Sequence, residues 1–249
     1  MDFTGQVALV TGAASGMGAA TAREFAAAGA HVVIVDRNGP QAEQVAADIG
    51  VGVPVIGDVS DSAFCDHAVQ TALDRYGRLD IVVNAAGIIV RADALNTSDQ
   101  QWYNVMNVNV SGLFFMCRAA LRPMKEQGSG AIINFGSIWG SVGGAGHVAY
   151  CASKGAVHQV TRAMALDHAR DGIRINAVCP GEMDTPMLAS GRPTAPTRED
   201  LQKMADAVVP MGRLGEPVEV ARVVLFLASD HASYMTGAMV AGDAGYTTR

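Results

Sequence analysis

The 249-residue sequence has only four cysteines, and Cys65, Cys117, Cys151 and Cys179 stand far apart with no CxxC pair. That spacing offers neither a zinc cage nor a dithiol redox pair, and the apolar or helical neighbours of each predict buried free thiols. The six histidines form no HExxH and no pair at ligand spacing, so no metal is expected. Lysine and arginine total 18 against 24 acidic residues, giving a formal net charge of −6 without any basic run. Such a balance argues against a partner that is nucleic acid or an anionic membrane surface, both of which need clustered cations. No apolar stretch approaches the ~18 residues needed to span a bilayer. The opening MDFTGQVALVTG enters an apolar run with no basic region or cleavage site in it, so a cytoplasmic location is expected.

What the chain has in quantity is apolar residues, 49% of the total, enough for a sizeable core. They fall into seven short β-branched runs: VALV (7–10), HVVIV (31–35), VPVI (53–56), LDIVV (79–83), AIINF (131–135), RINAV (174–178) and AMVA (238–241). Amphipathic stretches such as 19–29 and 66–77 separate them, each closed by a glycine suited to a left-handed cap. This βα alternation predicts an α/β fold whose parallel strands are covered on both faces. The rhythm runs unbroken from end to end, so residues 1–249 read as one domain. Two places depart from it. Ser98 with Gln101 forms a capping box that starts a long helix reaching about Lys125, yet NVNV (107–110) inside it is poor helix material. The segment from about 182 to 212, rich in Pro, Gly, Met and Thr, is too long for an ordinary connection and reads as a substrate lid.

After the first strand comes TGAASGMG, with Gly12, Gly16 and Gly18 at the strand-to-helix turn. Glycine there permits a tight turn, close backbone approach to a pyrophosphate, and delivery of that anion to the positive helix end. The GxxxGxG spacing differs from the common GxGxxG fingerprint. Asp36 closes the second strand, where a carboxylate accepts hydrogen bonds from the adenosine ribose hydroxyls and repels a 2′-phosphate, favouring NAD. Arg37 keeps NADP open, since a guanidinium pairs with such a phosphate. Asp58 is placed to meet an adenine amino group, and Asn84-Ala85-Ala86-Gly87 closes the fourth strand against the cofactor.

YCASK (150–154) sets Tyr150 and Lys154 one helical turn apart on one face. With five tyrosines and three lysines in the chain, chance supplies about 0.06 of such a pair. A phenol titrates near ~10 and is a poor base at neutral pH. Bringing it to ~7 takes roughly 4 kcal/mol, which one ammonium ~4 Å away provides as an upper estimate. A positively charged oxidised nicotinamide would add to it.

Taken together, TGAASGMG, Asp58-Val59, NAAG at 84–87, Asn109 in VNV, Ser137 in NFGS, YCASK, Pro180-Gly181 followed by Thr185, and FLASDHASYMTG resemble the short-chain dehydrogenase/reductase family, over Val7 to about Thr247. The resemblance implies a Rossmann-like, doubly wound sheet of seven parallel strands, a nicotinamide cofactor and catalysis by Asn109, Ser137, Tyr150 and Lys154. Tyr150 as phenolate would take the hydroxyl proton, Ser137 would donate a hydrogen bond to the same oxygen, and Lys154 would hold the nicotinamide ribose. Asn109 would hold a water joining Lys154 to solvent, at a local bulge in its helix. Ser15, Met17, Val59, Pro180, Gly181, Met183 and Thr185 join the cofactor set by the same likeness, Thr185 gripping the carboxamide. It also implies a homotetramer built through helices at 99–125 and 154–170 and the C-terminal elements. AGDAGYT (241–247) departs from the family's usual Val-Asp-Gly-Gly, with Gly242 and Ala244 as the replacements.

Substrate candidates flank the catalytic oxygen site or sit on the lid: Arg91, Ser137, Ile138, Trp139, His147, Glu182, Met183, Met187 and Arg192. Their mixture of apolar and hydrogen-bonding groups suits a polar secondary alcohol, such as a sugar, polyol or cyclic alcohol, oxidised with NAD. An NADPH-dependent ketone or 3-oxoacyl-thioester reductase is the alternative, and a non-catalytic dinucleotide-binding sensor is a reading from another class.

Overall fold

β-branched runs buried on both sides have one economical arrangement, a parallel sheet between two helical layers. The computed structural model describes residues 1–192 and 194–248. Its sheet has seven parallel strands in the order β3-β2-β1-β4-β5-β6-β7. They are β1 (Val7–Thr11), β2 (His31–Asp36), β3 (Gly52–Ile56), β4 (Ile81–Asn84), β5 (Gly130–Phe135), β6 (Ile173–Pro180) and β7 (Met239–Gly242). Side chains alternate faces. Ala8, Val10, Val32 and Ile34 pack with Phe25, Val45, Val224 and Leu225, beneath α1 (Gly16–Ala27), α2 (Gly39–Ile49) and α8 (Pro217–Ala228). Val7, Leu9, Val33 and Val35 pack on the other face. There they meet α3 (Ser62–Tyr76), α5 (Leu113–Gln127) and α6 (Val148–His168).

All seven strand expectations correspond to strands, the fourth with a shifted start. Leu79 and Asp80 precede β4, although the Asp80 backbone is already paired, its N–H donating to the Val7 carbonyl at 3.0 Å and its carbonyl accepting Ala131 N–H at 2.9 Å. Its carboxylate accepts from Val7 N–H at 2.9 Å and from Arg78. The Ser98/Gln101 capping box is formed in both directions and opens α4 (Asp99–Met106). The expected single helix is three pieces: α4, a π-helical segment (Asn107–Gly112) and α5. Within 182–212 lie a short 3-10 turn (Pro186–Leu188) and α7 (Arg198–Val208); position 193 of that expected lid lies outside the described residues. Position 249 does as well. Cys65, Cys117 and Cys179 are buried free thiols, whereas Cys151, one residue after Tyr150, is only half-buried.

β1 and β4 are neighbours while their following chain segments leave to opposite sides, so a crevice opens at their carboxyl ends. No helix among the described residues is long and apolar enough to cross a membrane, and no group of three or more His, Cys, Asp or Glu among them could hold a metal.

Candidate active site

The glycine turn is built for close approach. Gly12 has φ +66°, and a Cβ there would stand 2.7 Å from the backbone nitrogen of Ala86; a Cβ on Gly18 would sit 2.1 Å from the Gly12 carbonyl oxygen. Ser15 caps α1 without using its side chain, which leaves the first-turn amides facing the crevice. Asp36 receives Ala14 N–H at 3.0 Å on one oxygen and Asn38 N–H at 2.9 Å on the other, so the end of β2 is tied to the turn. The resulting cleft, about 250 Å³, is lined by Gly12, Ser15, Asp36, Arg37, Asp58 and Gly87. Val59 and Ala86 complete its walls. Asp58 also accepts Ser60 N–H at 2.8 Å, which fixes its carboxylate at the rim. A glycine cradle at a helix start beside a strand-end carboxylate fits a dinucleotide.

Asn84 does not face this cleft. Its amide donates to Asn134 Oδ1 at 2.9 Å and lies 3.2 Å from Cys117 Sγ, and Asn134 in turn donates to Thr161 Oγ1. It belongs to a polar thread through the core behind β4, because the period-2 alternation turns its side chain inward.

Asn109 sits in the π-helical segment, fully buried. It accepts Ile88 N–H at 2.8 Å, and its amide donates to the Ile88 carbonyl at 2.9 Å and Ser153 Oγ at 3.0 Å. The bulge expected from NVNV is present, but the Asn109 side chain clamps the loop that follows β4. Gly87 lies between it and Lys154: a Cβ on Gly87 would be 3.4 Å from Asn109 Oδ1 and 3.8 Å from Lys154 Nζ.

α6 carries Tyr150 and Lys154 on its buried face. Lys154 Nζ donates to the Phe135 carbonyl at 2.7 Å and lies 5.5 Å from the centroid of the Tyr150 ring. Burial pushes the phenol up to about 12, with the neighbouring Ser137 hydroxyl pulling the other way, and pushes the ammonium down to about 8. Lys154 therefore does not by itself deliver a phenolate, and the positive charge of an oxidised nicotinamide is needed as well. Desolvation, which disfavours either charge, is the largest cause for both groups.

Sequence reasoning missed His158, which shares the α6 face with Lys154 one turn later. Its Nε2 accepts Ser137 N–H at 3.5 Å and stands 3.3 Å from Cys179 Sγ. Burial first, then the charges of Arg162 and Lys154, push it down to about 4, so the imidazole is neutral and joins the Ser137 loop to β6. The i, i+4 and i+8 spacing from Tyr150 was the available signal.

Ser137, Tyr150, Trp139, Glu182, Met183 and Met187 line a narrow cavity of about 80 Å³. Ile138, Pro180, Gly181, Met17 and Thr185 border it, and a Cβ on Gly16 would come within 3.5 Å of the Thr185 side chain, which joins this cavity to the glycine turn. Trp139 packs 4.3 Å from His147 and edge-on to Tyr150 at 6.0 Å.

Three expected substrate residues are held by the protein itself, Arg91 while also lining this cavity. Arg91 donates to the Ser190 carbonyl at 3.0 Å, the Met187 carbonyl at 3.3 Å and His147 Nε2 at 2.9 Å. A guanidinium only donates, so His147 Nε2 is the acceptor and Nδ1–H goes to the Ala145 carbonyl at 2.7 Å. Arg91 and His147 thus hold the segment 187–190 over the cavity. Arg192 is exposed and donates to the Leu188 carbonyl at 2.8 Å.

Known proteins are similar to this chain over nearly their full length. A family model described as enoyl-(acyl carrier protein) reductase matches residues 12–247. Galactitol 2-dehydrogenase (L-tagatose-forming) of Cereibacter sphaeroides is 43% identical over 247 residues, covering 98% of this chain and 95% of that protein. Meso-2,3-butanediol dehydrogenase of Serratia marcescens is 40% identical, with coverage of 99% and 96%. The crystal structure of a 3-ketoacyl-(acyl-carrier-protein) reductase from Brucella melitensis complexed with NADH superposes with a TM-score of 0.92 at 36% identity, covering 99% of this chain and 100% of that one. With the motif set in order, the seven-stranded parallel sheet and relatives of this identity over nearly its full length, the chain belongs to the short-chain dehydrogenase/reductase family.

Proposed function

We propose that this alcohol–ketone oxidoreductase oxidises a secondary alcohol of a polar small molecule, a polyol, sugar or cyclic alcohol, with NAD. The observation that carries the reading is the meeting of the Ser137 and Tyr150 hydroxyls in one small cavity at the end of the glycine cleft. The galactitol and butanediol dehydrogenases among its relatives are named for alcohols with adjacent hydroxyls, which supports the substrate class. Asp36 at the cleft rim supports NAD over NADP.

A bound oxidised nicotinamide supplies the hydride acceptor and a positive charge. Tyr150 Oη accepts the substrate hydroxyl proton, and Ser137 Oγ donates to the same oxygen. Lys154, pinned by the Phe135 carbonyl, keeps a cation on the phenol's side of the site and faces Gly87 across the cleft. Met187 and Trp139 supply apolar wall to the cavity. We place the chain in the cytoplasm as one domain over 1–249 that assembles as a homotetramer.

NADH formation from NAD⁺, followed by absorbance over a panel of polyols, sugars, cyclic alcohols and hydroxyacyl thioesters, tests the reading. Turnover of the first three classes is expected. Strong preference for NADPH-driven ketone or thioester reduction would overturn the oxidising assignment.

A further inference from the structure

Glu182 follows Pro180-Gly181 at the end of β6 and borders two cavities. One is the narrow cavity with Ser137 and Tyr150; the other, about 410 Å³, lies toward Met211, Arg213 and Asp243. Its backbone is pinned. The Glu182 carbonyl accepts Gly215 N–H at 3.0 Å, and the preceding Gly181 N–H donates to the Gly242 carbonyl at 3.1 Å. A Cβ on Gly181 would stand 2.9 Å from Asp243 Cα, so the strand end cannot slide.

The side chain, by contrast, has no protein donor. Among the described residues no N–H or O–H group lies within hydrogen-bond distance of its carboxylate, and it joins no ion pair. The two cations whose fields reach it, Arg91 and Arg192, are directed at the carbonyls of Ser190, Met187 and Leu188 and at His147. Burial raises its pKa while those cations oppose the rise. A partly buried carboxylate with no protein donor depends on solvent, and a ligand that excludes that solvent must bring a donor of its own. The hydroxyl being oxidised belongs to Ser137 and Tyr150. The donor for Glu182 must come from another carbon of the same molecule, and a carboxylate or phosphate there would be repelled.

We propose that Glu182 accepts a hydrogen bond from a second, neighbouring hydroxyl of the substrate, so that the site selects polyhydroxy alcohols over mono-alcohols and anions. This rests on the oxidising reading above and specifies its substrate class.

The test compares kcat and KM for meso-2,3-butanediol and 2-butanol with NAD⁺ in the wild type, Glu182→Ala and the isosteric Glu182→Gln. Hydrogen bonds to charged groups contribute about 1.5–3 kcal/mol. The diol-to-mono-alcohol ratio of kcat/KM should therefore fall about 10–150-fold in Glu182→Ala, chiefly through a higher KM for the diol. Glu182→Gln, which keeps an acceptor without the charge, should fall less. A wild type that oxidises 2-butanol as well as the diol, or a ratio that survives both substitutions, overturns the role of Glu182 and leaves the oxidoreductase reading standing. A wild type silent on both alcohols while reducing ketones with NADPH overturns the oxidising reading and the inference together.

Discussion

At the scale of single residues, Tyr150 and Lys154 are both removed from water, and burial disfavours each charge. A phenol held near about 12 is protonated at neutral pH, which suits an acid better than a base. Oxidation by this site consequently needs the added positive charge of the oxidised cofactor, and kcat/KM for alcohol oxidation should climb with pH between about 6 and 9. A flat profile would sink the Tyr150 base. Tyr150→Phe should lower kcat by about 10²–10⁴-fold, the usual contribution of a positioned acid–base group. His158 carries a different pH dependence. Its imidazole titrates near about 6.5 when unfolded and about 4 in the fold, so between those values the unfolded chain binds the extra proton. Stability should be full above about pH 6.5 and fall as pH drops toward 4, by up to about 3 kcal/mol, and the slope should flatten in His158→Gln when urea unfolding is followed across that range.

At the scale of elements, the strands and the capping box were legible because they depend on local pattern: β-branched runs for the sheet, Ser98 with Gln101 for the start of α4. NVNV flagged an irregularity, and the π-helical turn is its form. What the turn accomplishes was not legible, since the Ile88 backbone and Ser153 that hold Asn109 come from distant parts of the chain. The same holds for the contacts of Asn84 and Arg91, which are made to partners distant in sequence, Asn134 and Ser190. The departure at 241–247 has a local consequence that can be measured. Ala244 has φ +54°, the one non-glycine residue with positive φ among those described, in the turn where Asp243 accepts from Gly245 N–H and from both the amide and hydroxyl of Thr247. Left-handed backbone costs an L-residue roughly 1–2 kcal/mol, and glycine returns about 0.4–1 of that as unfolded-state entropy. Ala244→Gly should accordingly raise the unfolding free energy by roughly 0.5–1 kcal/mol in urea, and a loss would contradict the strain argument.

At the scale of the whole molecule, the active-site crevice uses the carboxyl edge of the sheet and leaves the outer faces of α5 and α6 free for another purpose. A groove of about 490 Å³ runs between them, its floor made by Phe114, Leu121, Val160, Ala163 and Met164 with Arg118 alongside, and its rim by Arg122, Lys125, Asp167 and His168. Phe114 is 38% exposed and Leu166, on the same helix as Val160, is 82% exposed. Arg118 lies over the rings of Phe114 and Phe115 at 5.5 and 5.3 Å, and its buried Nε has no partner. An apolar groove holding an unsatisfied guanidinium nitrogen is the character of a contact surface, and it falls on the two helices through which the family resemblance implies tetramer assembly. Four chains of 25.8 kDa should therefore sediment together at neutral pH. Phe114→Glu places a charge in the groove while disturbing no fully buried side chain, so it should fold and shift the mass toward two chains or one. A wild type that sediments as a single chain at micromolar concentration would refute the assembly. A Phe114→Glu variant that stays tetrameric would move the interface to another face and leave the groove without this role.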